Sequence, residues 1–367
     1  MMQKRNLQIE GLRAIAMLYV VLFHFGCQFQ NIYMNKTGGL PFPFTLLGGI
    51  GVGIFFLISG YFFEQKEGGF QFLISRVKKT LPLYWVALVI IFVVTQLYQL
   101  PGRTASFSSF LLNFFYLGGF PHIAYVDGAH WFLRTMLVII VFYSIVQKIS
   151  EKRRYIVFLL TVLLIAVIDG VSNNISQPVI RKTIHLVNNS FSGFGFNYLI
   201  VAIMGSSLSI IQRRKRLIGT AMLLISLIAH IFIWGLPITV VMVIVCLLFI
   251  LCINNKIRFL EFSGFQVLAR SSYAIYLIHQ NIGYIIMLVL VNHFGYGLWM
   301  GLVAAILMIC LGIILHEFLE KKWLSFSDYS GVLRATSPVL ESHPSGKCGA
   351  TVPVEQSLPT NGQEKTL

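Results

Sequence analysis

The sequence predicts an all-α polytopic membrane protein with about ten transmembrane helices, on three observations: its composition, its recurring apolar runs of membrane-spanning length, and the spacing of its basic residues. Of 367 residues, 56% are hydrophobic and 11% charged, and the mean hydropathy is +0.78. No soluble core of that size buries so much apolar surface, so lipid must solvate it. The formal charge of +15 would suit a nucleic-acid binder if it lined one face. Here Lys and Arg fall in short clusters between apolar runs, so membrane lipid is the expected partner and nucleic acid is not.

Runs of about 20 apolar residues, the length that crosses the hydrocarbon core, fall near 12–29, 44–63, 81–100, 130–149, 155–171, 194–212, 217–234, 236–253, 268–291 and 298–319. The first lacks a small-residue cleavage site and is expected to be a retained helix. In the second, Gly49 and Gly53 permit close helix contact, and no following Lys-Ser or Lys-Thr completes a phosphate loop. The third is preceded by Arg76, Lys78 and Lys79, with Pro82-Leu83-Tyr84-Trp85 directly after the cluster. Gly235-Leu236-Pro237 is the turn that separates the seventh and eighth.

With ten spans, Lys4 and Arg5, Lys66 with Arg76, Lys78 and Lys79, Lys148 with Lys152 to Arg154, Arg213 to Arg216, Lys256 with Arg258, and Lys321 with Lys322 all fall on one side, and only Lys36, Arg103, Arg181 and Lys182 on the other. The positive-inside rule makes the first side, and both termini, cytoplasmic. The other side carries two longer loops, about 101–129 and 172–193, where an extracytoplasmic substrate would dock, and 107–117 suits a short interfacial helix. After 325 the chain turns to Ser, Pro, Gly, Thr and Glu, so the expected division is a transmembrane domain over 1–324 and a disordered cytoplasmic tail over 325–367. Cys27, Cys246, Cys252 and Cys310 lie in or beside apolar segments without ligand spacing, which suggests neither disulfides nor a metal site.

Charged and polar residues within spans are costly and are therefore functional candidates. Arg13 and His24 are eleven residues apart, nearly three whole turns, and Glu10 precedes Arg13 by one turn, so the three share a face. They read equally as an interfacial ion pair plus a hydrogen-bonded structural histidine, or as a site. Arg76 with Lys79 suits the phosphates of an acyl-coenzyme donor or, as the commoner alternative, anionic lipid. Arg134 lies one turn after Trp131 and needs a carboxylate, a carbonyl or a bound anion. Ser272, Tyr276 and His279 share one face of the ninth span.

Five segments in order resemble the acyltransferase-3 family of bacterial integral membrane O-acyltransferases: Glu10-Gly11-Leu12-Arg13 followed by His24; Phe55-Phe56-Leu57-Ile58-Ser59-Gly60-Tyr61; the cluster before Pro82-Leu83-Tyr84-Trp85; His130-Trp131-Phe132-Leu133; and Ser272 to His279. The resemblance covers about 7–320. It implies ten core helices in a bacterial inner membrane, acyl-CoA (acetyl-CoA by default) as co-substrate with no bound cofactor, and a glycan or lipid-linked sugar as acceptor. It assigns Arg13 and His24 to the family's Arg-x10-His signature and Arg76 with Lys79 to its Arg-x-x-Arg pair, where Lys79 keeps the charge but loses the bidentate fork. Met136 stands where many relatives carry a Glu. A chain without a fused periplasmic domain completes the transfer itself or with a partner.

The expected mechanism has His24 as general base, or as a brief carrier of the acyl group, oriented by Glu10 or another carboxylate. Arg13, Arg76 and Lys79 hold the donor, while Trp131, Arg134, Tyr276 and His279 line the path or position the acceptor. The alternative is a transporter or flippase for a glycan or acylated precursor, against which no paired interrupted helices are visible.

Overall fold

The computed structural model describes residues 6–34, 47–65, 69–174 and 193–323. The expected tail and most of the 172–193 loop lie outside the described residues, as do Lys66, Arg181 and Lys182. Within them the chain is helical: α1 (Leu7–Tyr33), α2 (Leu47–Phe63), α3 (Phe70–Tyr98), a short α4 (Phe107–Asn113), α5 (Trp131–Val146), α6 (Glu151–Asn174), α7 (Tyr198–Gln212), α8 (Arg216–Trp234), α9 (Leu236–Ile253), α10 (Ser263–Phe294) and α11 (Trp299–Leu315), the last extended by a π-helical turn, His316–Glu320. No strand occurs among the described residues. Seven of the helices are long and apolar enough to cross a membrane, and Gly48–Phe63 and Tyr198–Gln212 are shorter apolar helices. Every expected span has its helix, α6 among them.

Two elements differ from the sequence expectation, each for a visible reason. The third span begins at Phe70, so the basic cluster sits a full turn or more inside α3 and Pro82 lies within the helix. Proline removes the N–H that would bond the carbonyl four residues back, at Lys78. That carbonyl instead accepts from the Trp323 indole N–H at 3.0 Å. The neighbouring Thr80 carbonyl accepts from the Tyr273 hydroxyl at 2.7 Å. A side chain of α10 and one that follows the π-helical turn after α11 thus support the helix where its own ladder is interrupted. The first span is longer than expected and is wound as a π-helical turn over His24–Gln28, where the Phe29 N–H bonds the His24 carbonyl. The extra residue in that turn re-aims the side chains that follow it.

Small residues fix the helix crossings. A Cβ on Gly60 of α2 would lie 1.8 Å from the Ala202 carbonyl oxygen, and one on Gly205 of α7 would lie 2.0 Å from the Leu57 carbonyl oxygen, so the two backbones touch. Gly51 does the same for α2 against the Ala16 carbonyl of α1. Van der Waals packing of this kind drives helix association where lipid removes the hydrophobic driving force. At the end of the bundle that carries the basic clusters, the buried Glu64 carboxylate bonds Arg154 at 3.2 Å and lies 3.8 Å from Arg213, which also donates to the Glu64 carbonyl at 2.6 Å. This clasp ties the end of α2 to the start of α6 and the end of α7.

Gly205→Val is expected to abolish folding or sharply lower the melting temperature in detergent, because backbone stands in the way. Gly49→Ala, with nothing within 4 Å of the added Cβ, is expected to leave melting unchanged. Glu64→Ala leaves two guanidinium groups facing each other and is expected to cost roughly 3 kcal/mol, the low end for a broken buried pair because Arg213 is partly exposed. Thermal melting of the purified variants checks all three.

Candidate functional site

Near the middle of the bundle α1 and α10 bring two histidines into contact. Gly283 allows it, since a Cβ there would strike the Phe25 ring at 2.2 Å. The rings of His24 and His279 stand edge to face, 4.8 Å between centroids. His24 Nδ1 lies 2.7 Å from the Val20 carbonyl oxygen, and His279 Nδ1 lies 2.7 Å from that of Tyr276. Carbonyl oxygens only accept, so each Nδ1 carries its proton. His279 Nε2 is then an acceptor, 3.3 Å from His24 Nδ1. The tautomer this dictates leaves His24 Nε2 with its lone pair unprotonated, the state a general base requires.

A polar network surrounds the pair. Asp127, fully buried just before α5, accepts from the Ala129 N–H at 2.9 Å and the Asn281 N–H at 3.0 Å. Gln280 accepts from the Ala129 N–H at 2.7 Å and donates to Gln28 at 2.8 Å, and Tyr284 donates to the same Gln28 oxygen at 2.8 Å. His130 bonds the Leu277 carbonyl through Nε2 at 3.1 Å, while its buried Nδ1 has no partner. The Tyr276 hydroxyl bonds the Ala129 carbonyl, and its ring lies 5.4 Å from that of His279. Beside this network a cavity of about 340 Å³ opens, lined by Ile32, Arg103, Tyr125, Gly128 and Asn281.

Arg13 and Glu10 lie toward the opposite end, paired at 3.1 Å. Eleven residues of helix put Arg13 about 16 Å along the axis from His24. The expectation that Glu10 orients His24 is therefore corrected: its carboxylate bonds Arg13, roughly 21 Å of helix away, and the imidazole is held by the Val20 carbonyl and His279. Arg76 stands within electrostatic reach of Arg13 and stacks over Phe63 and Phe72 at 5.3 Å each. Its buried Nε has no partner, and no carboxylate pairs with it among the described residues. Lys79 is exposed on the same helix.

Trp131 and Arg134 sit apart from the histidines. Trp131 packs on Tyr198, 5.3 Å between ring centroids, and Tyr198 in turn lines an apolar cavity of about 230 Å³ with Gly49, His230, Trp234 and Met242. Arg134 satisfies its charge with carbonyls and rings rather than a carboxylate: it donates to the carbonyls of Gly118, at 2.7 Å, and Gly193, and lies about 5.5 Å from the rings of Phe120, Tyr125 and Phe194. It closes the loop over the end of α5.

Asp127, His130, Gln28 and Gln280 were not legible as site residues in the sequence. One signal was present: Asp127 is the single acidic residue in the 101–129 loop. Removing its carboxylate in Asp127→Ala takes the side-chain acceptor from the Asn281 N–H and leaves the Ala129 N–H to Gln280 alone, at about 1–3 kcal/mol for a buried group left unsatisfied. A lower melting temperature in that variant, with Asp127→Asn losing less because one acceptor oxygen remains, is the expected measurement.

A protein-family model described as an acyltransferase domain matches residues 6–317. No curated protein and no solved structure matches the chain. The match runs from the start of α1, through both histidines, into the π-helical turn that follows α11, and the chain therefore belongs to the acyltransferase-3 family of membrane acyltransferases.

Proposed function

We propose that this membrane acyltransferase carries an acetyl group from acetyl-CoA, bound at the end of the bundle that bears the basic clusters, to a hydroxyl of a cell-surface glycan or lipid-linked sugar that enters from the other end. The observation that carries this reading is the unprotonated Nε2 of His24 at the meeting of α1 and α10. It has two unlike approaches, a guanidinium pair about 16 Å away along the helix and a polar cavity at the opposite side. A phosphopantetheine arm in extended form has the length to link the two, with the donor's phosphates on Arg13, Arg76 and Lys79 and its thioester beside His24. The positive-inside rule assigns the basic end to the cytoplasm, where acetyl-CoA is made.

In this mechanism His24 Nε2 takes the proton of the acceptor hydroxyl as its oxygen attacks the thioester carbonyl carbon. His279 supports the imidazolium that forms, through the Nδ1–H bond. Collapse of the tetrahedral intermediate breaks the C–S bond, and the departing thiolate receives the proton from His24. Tyr276 holds the Ala129 segment and the His279 ring in place rather than touching the reacting atoms.

Mass spectrometry of surface glycans from a strain lacking the protein, complemented with wild type or His24→Ala, tests the reading. One sugar is expected to lose an acetyl mass without the protein and to regain it with wild type only, His24→Ala falling at least 10²-fold; normal acetylation by His24→Ala would remove the histidine from the mechanism. On purified protein, Arg76→Ala is expected to weaken acetyl-CoA binding about tenfold. Lys79→Arg, which restores the bidentate fork, is expected to tighten it.

A further inference from the structure

We propose that the cavity lined by Arg103, Gly128 and Asn281 is a site for an acceptor bearing an anionic oxygen group, a carboxylate or a phosphate, and that Arg103 selects it. The assignment rests on the acyltransferase reading of the site and names the class of acceptor that the site takes.

Arg103 is placed by a held turn. Gly102 takes a φ of +68°, open to glycine without strain, and the Arg103 N–H bonds the Leu100 carbonyl at 3.1 Å. Leu100 and Ala105 are buried on either side. Gln96 donates to the Ala105 carbonyl at 2.6 Å, and Tyr33 donates to the Pro101 carbonyl at 3.2 Å. The side chain is fixed as firmly. Its guanidinium lies 5.0 Å from the Tyr284 ring centroid and donates to Asn281 Oδ1 at 3.2 Å. Asn281 has no freedom to turn, because its Nδ2 donates to the Val126 carbonyl at 2.8 Å. Gly128 completes the close fit: a Cβ there would lie 3.0 Å from Arg103 Nη1.

No carboxylate pairs with Arg103 among the described residues, and the buried acid of this region, Asp127, spends its oxygens on the N–H groups of Ala129 and Asn281. A guanidinium presents five N–H donors; Asn281 accepts from one and the Tyr33 hydroxyl lies in hydrogen-bonding reach of another, which leaves donors to spare. The face of Tyr284 offsets only part of the cost of a half-buried cation. A carboxylate or phosphate oxygen in the cavity would take the remaining donors as charge-assisted, bidentate bonds. On that reading the donor's own phosphates are not the occupant, since the guanidinium pair proposed to hold them lies about 16 Å along α1 from His24, toward the other end of the bundle. Arg103 is also within electrostatic reach of His24, so an anion held there acts on the field around the proposed base. A volume of about 340 Å³ falls within the range of small-molecule sites. The anionic group has two sources, a carboxylate on the sugar itself or the phosphate that joins a sugar to a lipid carrier.

Saturation-transfer NMR on the full chain in lipid nanodiscs separates them, with methyl glucuronide, methyl glucoside and farnesyl phosphate as probes. One of the two anions is expected to bind at least tenfold more tightly than the glucoside, and which one does so identifies the source. Arg103→Gln is expected to remove that preference, Arg103→Lys to retain part of it, and both to leave acetyl-CoA affinity unchanged. Should Arg103→Gln fail to fold, Gly128→Ala, which crowds Nη1 without removing charge, is expected to weaken the anion and not acetyl-CoA. Equal binding of all three probes, or anion binding indifferent to Arg103→Gln and Gly128→Ala, overturns the proposal. Failure of the acyltransferase reading has a different signature: surface glycans unchanged on loss of the protein while anion binding still follows Arg103, which overturns the acceptor role and leaves an anion site.

Discussion

The structure depends on one constraint: within a bilayer every polar group must find its partner inside the protein, and partners on different helices meet only where backbones come close enough. At the centre of this molecule His24 and His279 share a proton-donor contact across α1 and α10. Gly283 makes the approach possible by leaving room for the Phe25 ring. The same rule governs the rest of the bundle, from Gly60 and Gly205 at the α2–α7 crossing to the Trp323 indole that takes the carbonyl freed by Pro82.

The constraint also shapes the chemistry. Hydrogen bonds to backbone carbonyls fix which nitrogen of each imidazole is protonated, so in the proposed mechanism the base is prepared before any substrate arrives. The winding of α1 contributes: the π-helical turn starts at His24 and carries Gln28 to the amide of Gln280 and the hydroxyl of Tyr284. The loop before α5 delivers Asp127 and His130 into the same network. The network around the two histidines thus draws on a helix irregularity and a loop, while the regular helices act as the frame.

Charges fall into two kinds. Glu64 with Arg154 and Arg213, and Arg134 with its carbonyls and rings, are satisfied within the protein and tie elements together. Arg76 and Arg103 have no carboxylate among the described residues, and they stand at opposite approaches to His24. A partly buried guanidinium without a carboxylate partner is most readily kept where a ligand supplies the anion, which is why these two, rather than the many exposed basic residues, draw a functional reading.

Composition and run length by themselves determined the all-α membrane architecture and the ten helices, because hydrocarbon thickness sets span length and lipid tolerates no other open backbone. The order of short motifs was enough to point to the family, and the spacing of Arg13 and His24 to a shared face. Only the tertiary structure decided which partners the buried groups take. Periodicity put Glu10 on the face of His24, yet helical rise separates them by four turns, and the carboxylate went to Arg13. Asp127, Gln280 and Arg103 lie in segments whose pattern says only loop or apolar helix. Their meeting follows from contacts between residues more than a hundred positions apart, such as Asp127 with Asn281 and Arg103 with Asn281, which no local period encodes.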